Sequence, residues 1–252
     1  MCRHLAYLGP PVDLATLLLE PPHSLLRQSY APTDMRGGGT VNADGFGAGW
    51  YLQGLATPIR YRRAVPIWTD PSFAALAREV RSGAVLAAVR SATVGMPVVE
   101  TACAPFATGR WLFSHNGLVA GWPGSMAGLA ARLPVTELLT LDAPTDSALL
   151  WALVRHRLAA GESPGCAVRT VAGEVLACAP GSRLNLLITD GTVLAATAVH
   201  HALWLRAGPG AVLVCSEPID AVAGWEPVPD RHLLTATPST VDVAPIIPAE
   251  EP

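Results

Sequence analysis

No stretch of this 252-residue sequence approaches the ~18 unbroken apolar residues that a membrane-crossing helix needs. A leader peptide is missing as well: the start carries one basic residue, and Pro10, Pro11 and Asp13 interrupt any apolar run behind it. Together these gaps make a cytoplasmic protein the expectation. Nor is there a Lys/Arg-rich run, and a formal net charge of −3 offers no electrostatic footprint for nucleic acid or an anionic membrane surface. The expected partner is therefore a small molecule. The five cysteines are odd in number, widely spaced and form no CxxC pair, which argues against a disulfide framework or a zinc site. Internal repeats and linker-like segments are absent too, so residues 1–252 read as one domain.

What the sequence has in quantity is apolar side chains, 50% of the total against 15% charged, enough for a substantial core. They are distributed in a mixed α and β pattern without a regular βαβ rhythm. "CRHLAYLG", "FGAGWYL", "IRYRRA", "AVLAAVRSAT" and "RWLFSHNG" read as strands, the last two ending in polar turns. "VDLATLLLE", "SFAALAREVRS", "MAGLAARL", "DSALLWALVRHRLAA" and "CAVRTVAGEVLAC" read as helices. Residues 20–45 form a long irregular stretch, which inside a compact domain points to function or disorder. In the second half, "RLNLLITDGTVLAATAV" predicts a hairpin with Asp190-Gly191 as a two-residue, positive-φ turn. "ALWLRAG", "GAVLVCSEP", "HLLTATP" and "TVDVAPI" continue the antiparallel series, and the tail "PIIPAEEP" reads as a frayed terminus. The sum is an α+β layered fold with antiparallel sheets.

Four short stretches carry chemistry. Loss of the initiator methionine leaves Cys2 with a thiol and a free α-amine on one residue. The amine, with an unperturbed pKa of about 7.7–8.0, can act as base for the thiol. Cys2 equally fits a small buried strand position. In "FSHNGLV", the Asn116 amide and the Gly117 N–H can lie side by side as the donor pair that an acyl-transfer oxyanion requires. Asn-Gly is also a common turn dipeptide. In "VRSATVG", Arg90 at a strand end can clamp a carboxylate bidentately with Thr93 adding a hydroxyl, or simply form a surface ion pair. In "APTDSALL", Asp146 can receive a substrate ammonium or merely favour a helix N-terminus.

In order along the chain, Met-Cys, "NADGFGAGWY", "VRSAT", "SHNG", "PTDS" and "CSEP" resemble the class II glutamine amidotransferases of the N-terminal-nucleophile hydrolase superfamily. The resemblance implies a four-layer αββα sandwich and an enzyme that needs no metal or organic cofactor. By position it makes Cys2 the nucleophile with its α-amine as base, Asn116 and Gly117 the oxyanion hole, and Arg90 and Asp146 the grip on the γ-glutamyl head, with Thr93 in support. It also implies removal of Met1. Larger members read Arg-Trp-Ala-Thr-His where this chain has Arg90-Ser91-Ala92-Thr93-Val94, a departure that leaves Ser91 and Val94 without a role and points to a sub-branch. The arrangement is most similar to the branch that hydrolyses the γ-glutamyl amide of γ-glutamyl-hercynylcysteine S-oxide in ergothioneine biosynthesis. A stand-alone glutaminase serving a separate synthase and a non-catalytic binding protein are the alternatives. For the cationic trimethylammonium end of such a conjugate, the stretch with Asp44 and Trp50 is one candidate receptor, although Trp50 also suits core packing.

Overall fold

A computed structural model of the chain describes residues 2–36, 38 and 41–246. The expectations for Met1 and for the tail beyond Ile246 fall outside the described residues. The first half runs β1 (Arg3–Asp13), α1 (Leu14–Leu18), α2 (Leu25–Gln28), β2 (Phe46–Trp50), β3 (Ile59–Arg63), α3 (Pro71–Glu79), β4 (Arg81–Val89), β5 (Phe106–Thr108) and β6 (Trp111–Leu118). Helices α4 (Ala127–Ala130), α5 (Val135–Leu139), α6 (Asp146–Ala159) and α7 (Pro164–Cys178) follow. The chain then returns to strands: β7 (Arg183–Thr189), β8 (Leu194–Ala198), β9 (Trp204–Gly208), β10 (Ala211–Cys215), β11 (Glu226–Pro227), β12 (His232–Thr237) and β13 (Thr240–Pro245).

Two sheets result, one ordered β11-β9-β10-β1-β4-β2-β3 and the other β13-β12-β8-β7-β6-β5. Their paired strands run antiparallel. Period-two alternation decides what each face buries. On β1, Leu5 and Tyr7 pack with α1 and α3 residues such as Leu14, Leu18 and Phe73, while Ala6 and Leu8 face the other sheet. On β4, Val85, Ala87 and Val89 take the helical side, and Ala84 and Leu86 the inter-sheet side. The second sheet repeats the arrangement: Leu184, Leu186 and Ile188 of β7 meet α6 and α7, and Leu187 points inward. Three apolar layers thus separate helix, sheet, sheet and helix, the αββα sandwich that the resemblance implied.

The longer helices α3, α6 and α7 carry side-chain N-caps. Asp70 Oδ1 accepts from Phe73 N at 2.9 Å with Pro71 behind it, and Thr145 Oγ1 accepts from Ala148 N at 3.2 Å at the head of α6. Helix α6 is buried over two full turns because it lies between α7 and β6, where Trp151 stacks on Phe113 with centroids 5.2 Å apart.

Several local expectations need correction. The irregular stretch contains α2, capped by Ser24. The helix expected over "MAGLAARL" shrinks to the single turn α4, because Pro134 follows closely, and α5, β5 and β11 are additional short elements. The β7–β8 connection spans four residues, Asp190 to Val193, since Asp190 Oδ1 accepts from both Thr192 N (2.9 Å) and Val193 N (3.0 Å). Only Gly191 in that turn has positive φ, at 89°. The side-chain turn replaced the two-residue backbone turn that the dipeptide suggested.

Candidate active site

Of the residues singled out from the sequence, Cys2 and Arg90 line one small cavity, Asn116 a second gap, and Thr93 and Gly117 a third recess. Cys2 precedes β1, whose Arg3 pairs with Val89, so Arg90 emerges on the neighbouring strand. Cys2 is half-buried, and its Sγ donates to the Ser91 carbonyl at 3.7 Å. A small cavity behind it is lined by Arg90, His115, Ser147 and the rings of Phe46 and Phe106.

Arg90 is fixed at both ends. Its N–H donates to Gly45 O at 2.7 Å, its carbonyl accepts from Asp44 N at 2.9 Å, and its Nη1 donates to Pro97 O at 2.9 Å. Asp44 Oδ2 then accepts Ala92 N at 2.7 Å, so this carboxylate shapes the 90–92 turn instead of standing open for a cation. Trp50, the other residue considered for that cation, is 4% exposed and belongs to the core beneath the first sheet.

Asn116 lies on β6, its side chain 1% exposed between the sheets. Its Nδ2 donates to Ser216 Oγ at 3.3 Å, and Ser216 Oγ itself accepts the His4 N–H at 3.0 Å. At the next position only glycine fits, because a Cβ on Gly117 would collide with the Arg183 carbonyl oxygen across the β6–β7 ladder. The chain is therefore free of side-chain bulk where an oxyanion would approach a backbone N–H. Asp146 is the first residue of α6. Its Oδ1 accepts from Ser147 N at 2.7 Å and lies 3.2 Å from the Ser147 hydroxyl, while its Oδ2 accepts from Val119 N at 3.0 Å. Oδ2 has taken one bond among the described residues and retains a lone pair for an ammonium. Thr93, expected to support Arg90, lines a different recess together with Gly117, Arg183 and His201.

Residues 22–221 match the family described as glutamine amidotransferases class-II. A gamma-glutamyl-hercynylcysteine sulfoxide hydrolase of Mycolicibacterium smegmatis is 43% identical over 98% of this chain and 100% of its own length. One of the same name from Mycobacterium tuberculosis is 41% identical, with both chains covered in full. Among solved structures, a glutamine aminotransferase class-II domain protein from Silicibacter pomeroyi superposes with a TM-score of 0.67 at 25% identity, covering 98% of this chain and 100% of that one. The chain belongs to the class-II glutamine amidotransferases.

In this amidotransferase the most heavily bonded group near Cys2 is one that sequence reasoning passed over. Glu217, two residues after β10, accepts from Arg3 Nε at 2.8 Å, His23 Nε2 at 2.6 Å, and Thr33 N and Oγ1 at 2.8 and 2.6 Å. Arg3 in turn donates to the carbonyls of Cys2 (3.1 Å) and Asp34. Burial alone would raise the Glu217 carboxyl, but the bonds from His23 and Thr33 and the Arg3 charge hold it down to about 2. Two other thiols differ from Cys2 in setting: burial pushes Cys103 up to about 11 and Cys215 well above the ordinary range, which makes them packing groups.

Two histidines beside Asn116 are held neutral. Burial, together with the nearby positive charge of Arg3 and neighbouring histidines, lowers His4 to about 3. Burial, Arg183 and Arg3 bring His201 to about 3 as well. Between pH 6.5 and about 3 the unfolded chain binds protons that these rings refuse in the fold, so their contribution is complete above 6.5 and falls with acidification. At pH 5 each should cost about 2 kcal/mol of stability relative to pH 8. Urea unfolding followed from pH 8 to 5 checks this; a flat midpoint would mean that both rings protonate in the folded state.

Proposed function

We propose that this amidotransferase domain, residues 1–252, hydrolyses the γ-glutamyl amide of γ-glutamyl-hercynylcysteine S-oxide in ergothioneine biosynthesis. Glutamate and hercynylcysteine S-oxide are the products, and a Cys2 thioester is the intermediate. The observation that carries the substrate is the near-complete coverage, at 43% and 41% identity, by two hydrolases named for that compound. The chemistry rests on the geometry around Cys2.

Arg90 receives the α-carboxylate of the glutamyl head and Asp146 Oδ2 its ammonium, which places the γ-carbonyl over the thiol. With Met1 removed, the α-amine of Cys2 takes the thiol proton and the thiolate adds to the carbonyl carbon. Negative charge develops on the carbonyl oxygen, where the Asn116 amide and the Gly117 N–H donate to it. The α-ammonium returns its proton to the departing amine as the C–N bond breaks. A water, deprotonated by the same amine, then adds to the thioester, and the C–S bond cleaves to give glutamate and the free thiol.

Binding energy from the leaving group can be realised in the transition state at the reacting centre. The expected result is a kcat/KM for the sulfoxide conjugate at least ~10²-fold above that for glutamine, about 2.7 kcal/mol of additional transition-state binding. Glutamate release from the two substrates, measured side by side at equal enzyme concentration, decides it. Equal efficiencies, or a preference for glutamine, would leave a stand-alone glutaminase instead.

A further inference from the structure

Cys2 stands just beyond the paired end of its strand. The β1–β4 ladder begins with Arg3 opposite Val89, and the β1–β10 ladder only with Leu5 opposite Cys215. With Met1 removed, Cys2 is the chain end, and a terminal residue past the last strand pair frays unless something ties it down. Acyl transfer tolerates little of that, because a displacement of about 1 Å from the attacking geometry can cost ~10²-fold in rate.

Arg3 supplies a tie. Its buried guanidinium spreads its donors over separate segments: Nη1 to the Cys2 carbonyl at 3.1 Å, Nη2 to the Asp34 carbonyl, and Nε to Glu217 Oε1 at 2.8 Å. A guanidinium can hold a main-chain carbonyl in one place only when its own plane is fixed, and here the carboxylate fixes it. Glu217 is immobilised in its turn. Its Oε2 accepts from His23 Nε2 at 2.6 Å and from Thr33 N and Oγ1 at 2.8 and 2.6 Å, and its carbonyl accepts from Gln28 Nε2 at 3.3 Å. A buried ion pair adds little net stability over apolar side chains of similar size, so stability does not account for this one.

The preceding residue makes the matching contact. Ser216 Oγ accepts from Asn116 Nδ2 at 3.3 Å and from the His4 N–H at 3.0 Å. Asn116 belongs to β6 of one sheet and Cys2 precedes β1 of the other, so no strand ladder sets the spacing between them. Two successive residues after β10 bridge that gap: Ser216 holds the oxyanion donor, and Glu217, through Arg3, holds the nucleophile's carbonyl.

We propose that Glu217 is a positioning residue for acylation: it orients Arg3, Arg3 fixes the Cys2 carbonyl, and the thiol is thereby kept at attacking distance from a γ-carbonyl whose oxygen lies against Asn116. The inference rests on the reading that Cys2 forms the thioester. It is indifferent to which γ-glutamyl compound is bound, since every such substrate meets the same thiol.

The test uses Glu217→Gln, which keeps the volume but sets an N–H donor against donors, and Arg3→Lys, which keeps the charge but loses the planar fork. Thermal unfolding verifies that each variant is folded at the assay temperature; should Glu217→Gln fail to fold, Arg3→Lys carries the comparison. In both, kcat should fall between ~10 and ~10²-fold, by the same factor for the conjugate and for glutamine. Inhibition by glutamate, which reports the grip on the head, should stay within about threefold of the parent. Alkylation of Cys2 by iodoacetamide, followed by peptide mass mapping, should not slow, because that small reagent needs no seating and the thiol keeps its own amine as base. The double variant should lose no more than about threefold beyond the more impaired single one, since both act through one contact. An unchanged kcat in either folded variant, a loss confined to KM or to one substrate, slower alkylation, or losses that multiply in the double variant would each overturn the proposal. Glutamate release that survives Cys2→Ala refutes the nucleophile reading itself, before either positioning variant is compared.

Discussion

Cys2→Ala should abolish glutamate release, with kcat falling by roughly 10⁴-fold or more, because removal of a covalent nucleophile disables every step that follows it. No other thiol is placed to substitute: Cys103 and Cys215 are buried and their thiols are pushed upward by that burial, and Cys166 and Cys178 lie on α7, outside the lining of the cavity at Cys2. Intact-mass measurement supplies the second readout. Mixed with the conjugate, the parent enzyme should carry one added γ-glutamyl mass on a chain lacking Met1, and Cys2→Ala should carry none. Acylation of the α-amine removes its basicity, so a preparation that retains Met1 should be as inactive as the variant. A Met1-retaining enzyme with full turnover would defeat the N-terminal-nucleophile mechanism, whatever became of the substrate assignment.

The second large effect is expected at Asn116. Truncation to alanine takes away one of two donors to the developing oxyanion, and kcat should fall by roughly 10²–10³, about 2.7–4 kcal/mol of transition-state stabilisation. The Ser216 hydroxyl that accepts from Nδ2 and the ladder pairing with Asn185 both fix the amide before substrate arrives. The loss should therefore appear in kcat, with KM little altered. A folded Asn116→Ala enzyme impaired only in KM would move Asn116 from oxyanion stabilisation to substrate binding. Replacement of Gly117 offers no parallel test, since any Cβ there strikes the Arg183 carbonyl and forces the strands apart.

What could be read from the sequence was what local pattern records. Alternation located β1, β2, β4 and β6, and the order of short motifs singled out Cys2, Arg90, Asn116, Gly117 and Asp146. The Glu217 cluster was out of reach for a different reason. Its Arg3 partner is 214 positions away and its Thr33 partner 184 positions away, and nothing in the spacing of single residues records such pairings. "CSEP" contributed to the family resemblance without revealing that its glutamate holds Arg3, which in turn holds the Cys2 carbonyl. Asp44 was visible, but as a possible cation receptor; only the bond to Ala92 N identifies it as the support of the arginine turn. Likewise Asp190-Gly191 looked like a two-residue turn because a dipeptide propensity cannot anticipate a side chain that captures two later N–H groups.

The position of β1 within its sheet has a consequence for synthesis. The strand precedes both of its neighbours in the chain, β4 (Arg81–Val89) and β10, which ends at Cys215. Long-range pairings of this kind are slow to form and cannot begin until the distant strand exists. The surroundings of Cys2 therefore cannot close until the chain has been made through β10 and Glu217. A product truncated before Glu217 lacks the carboxylate that holds Arg3 beside Cys2.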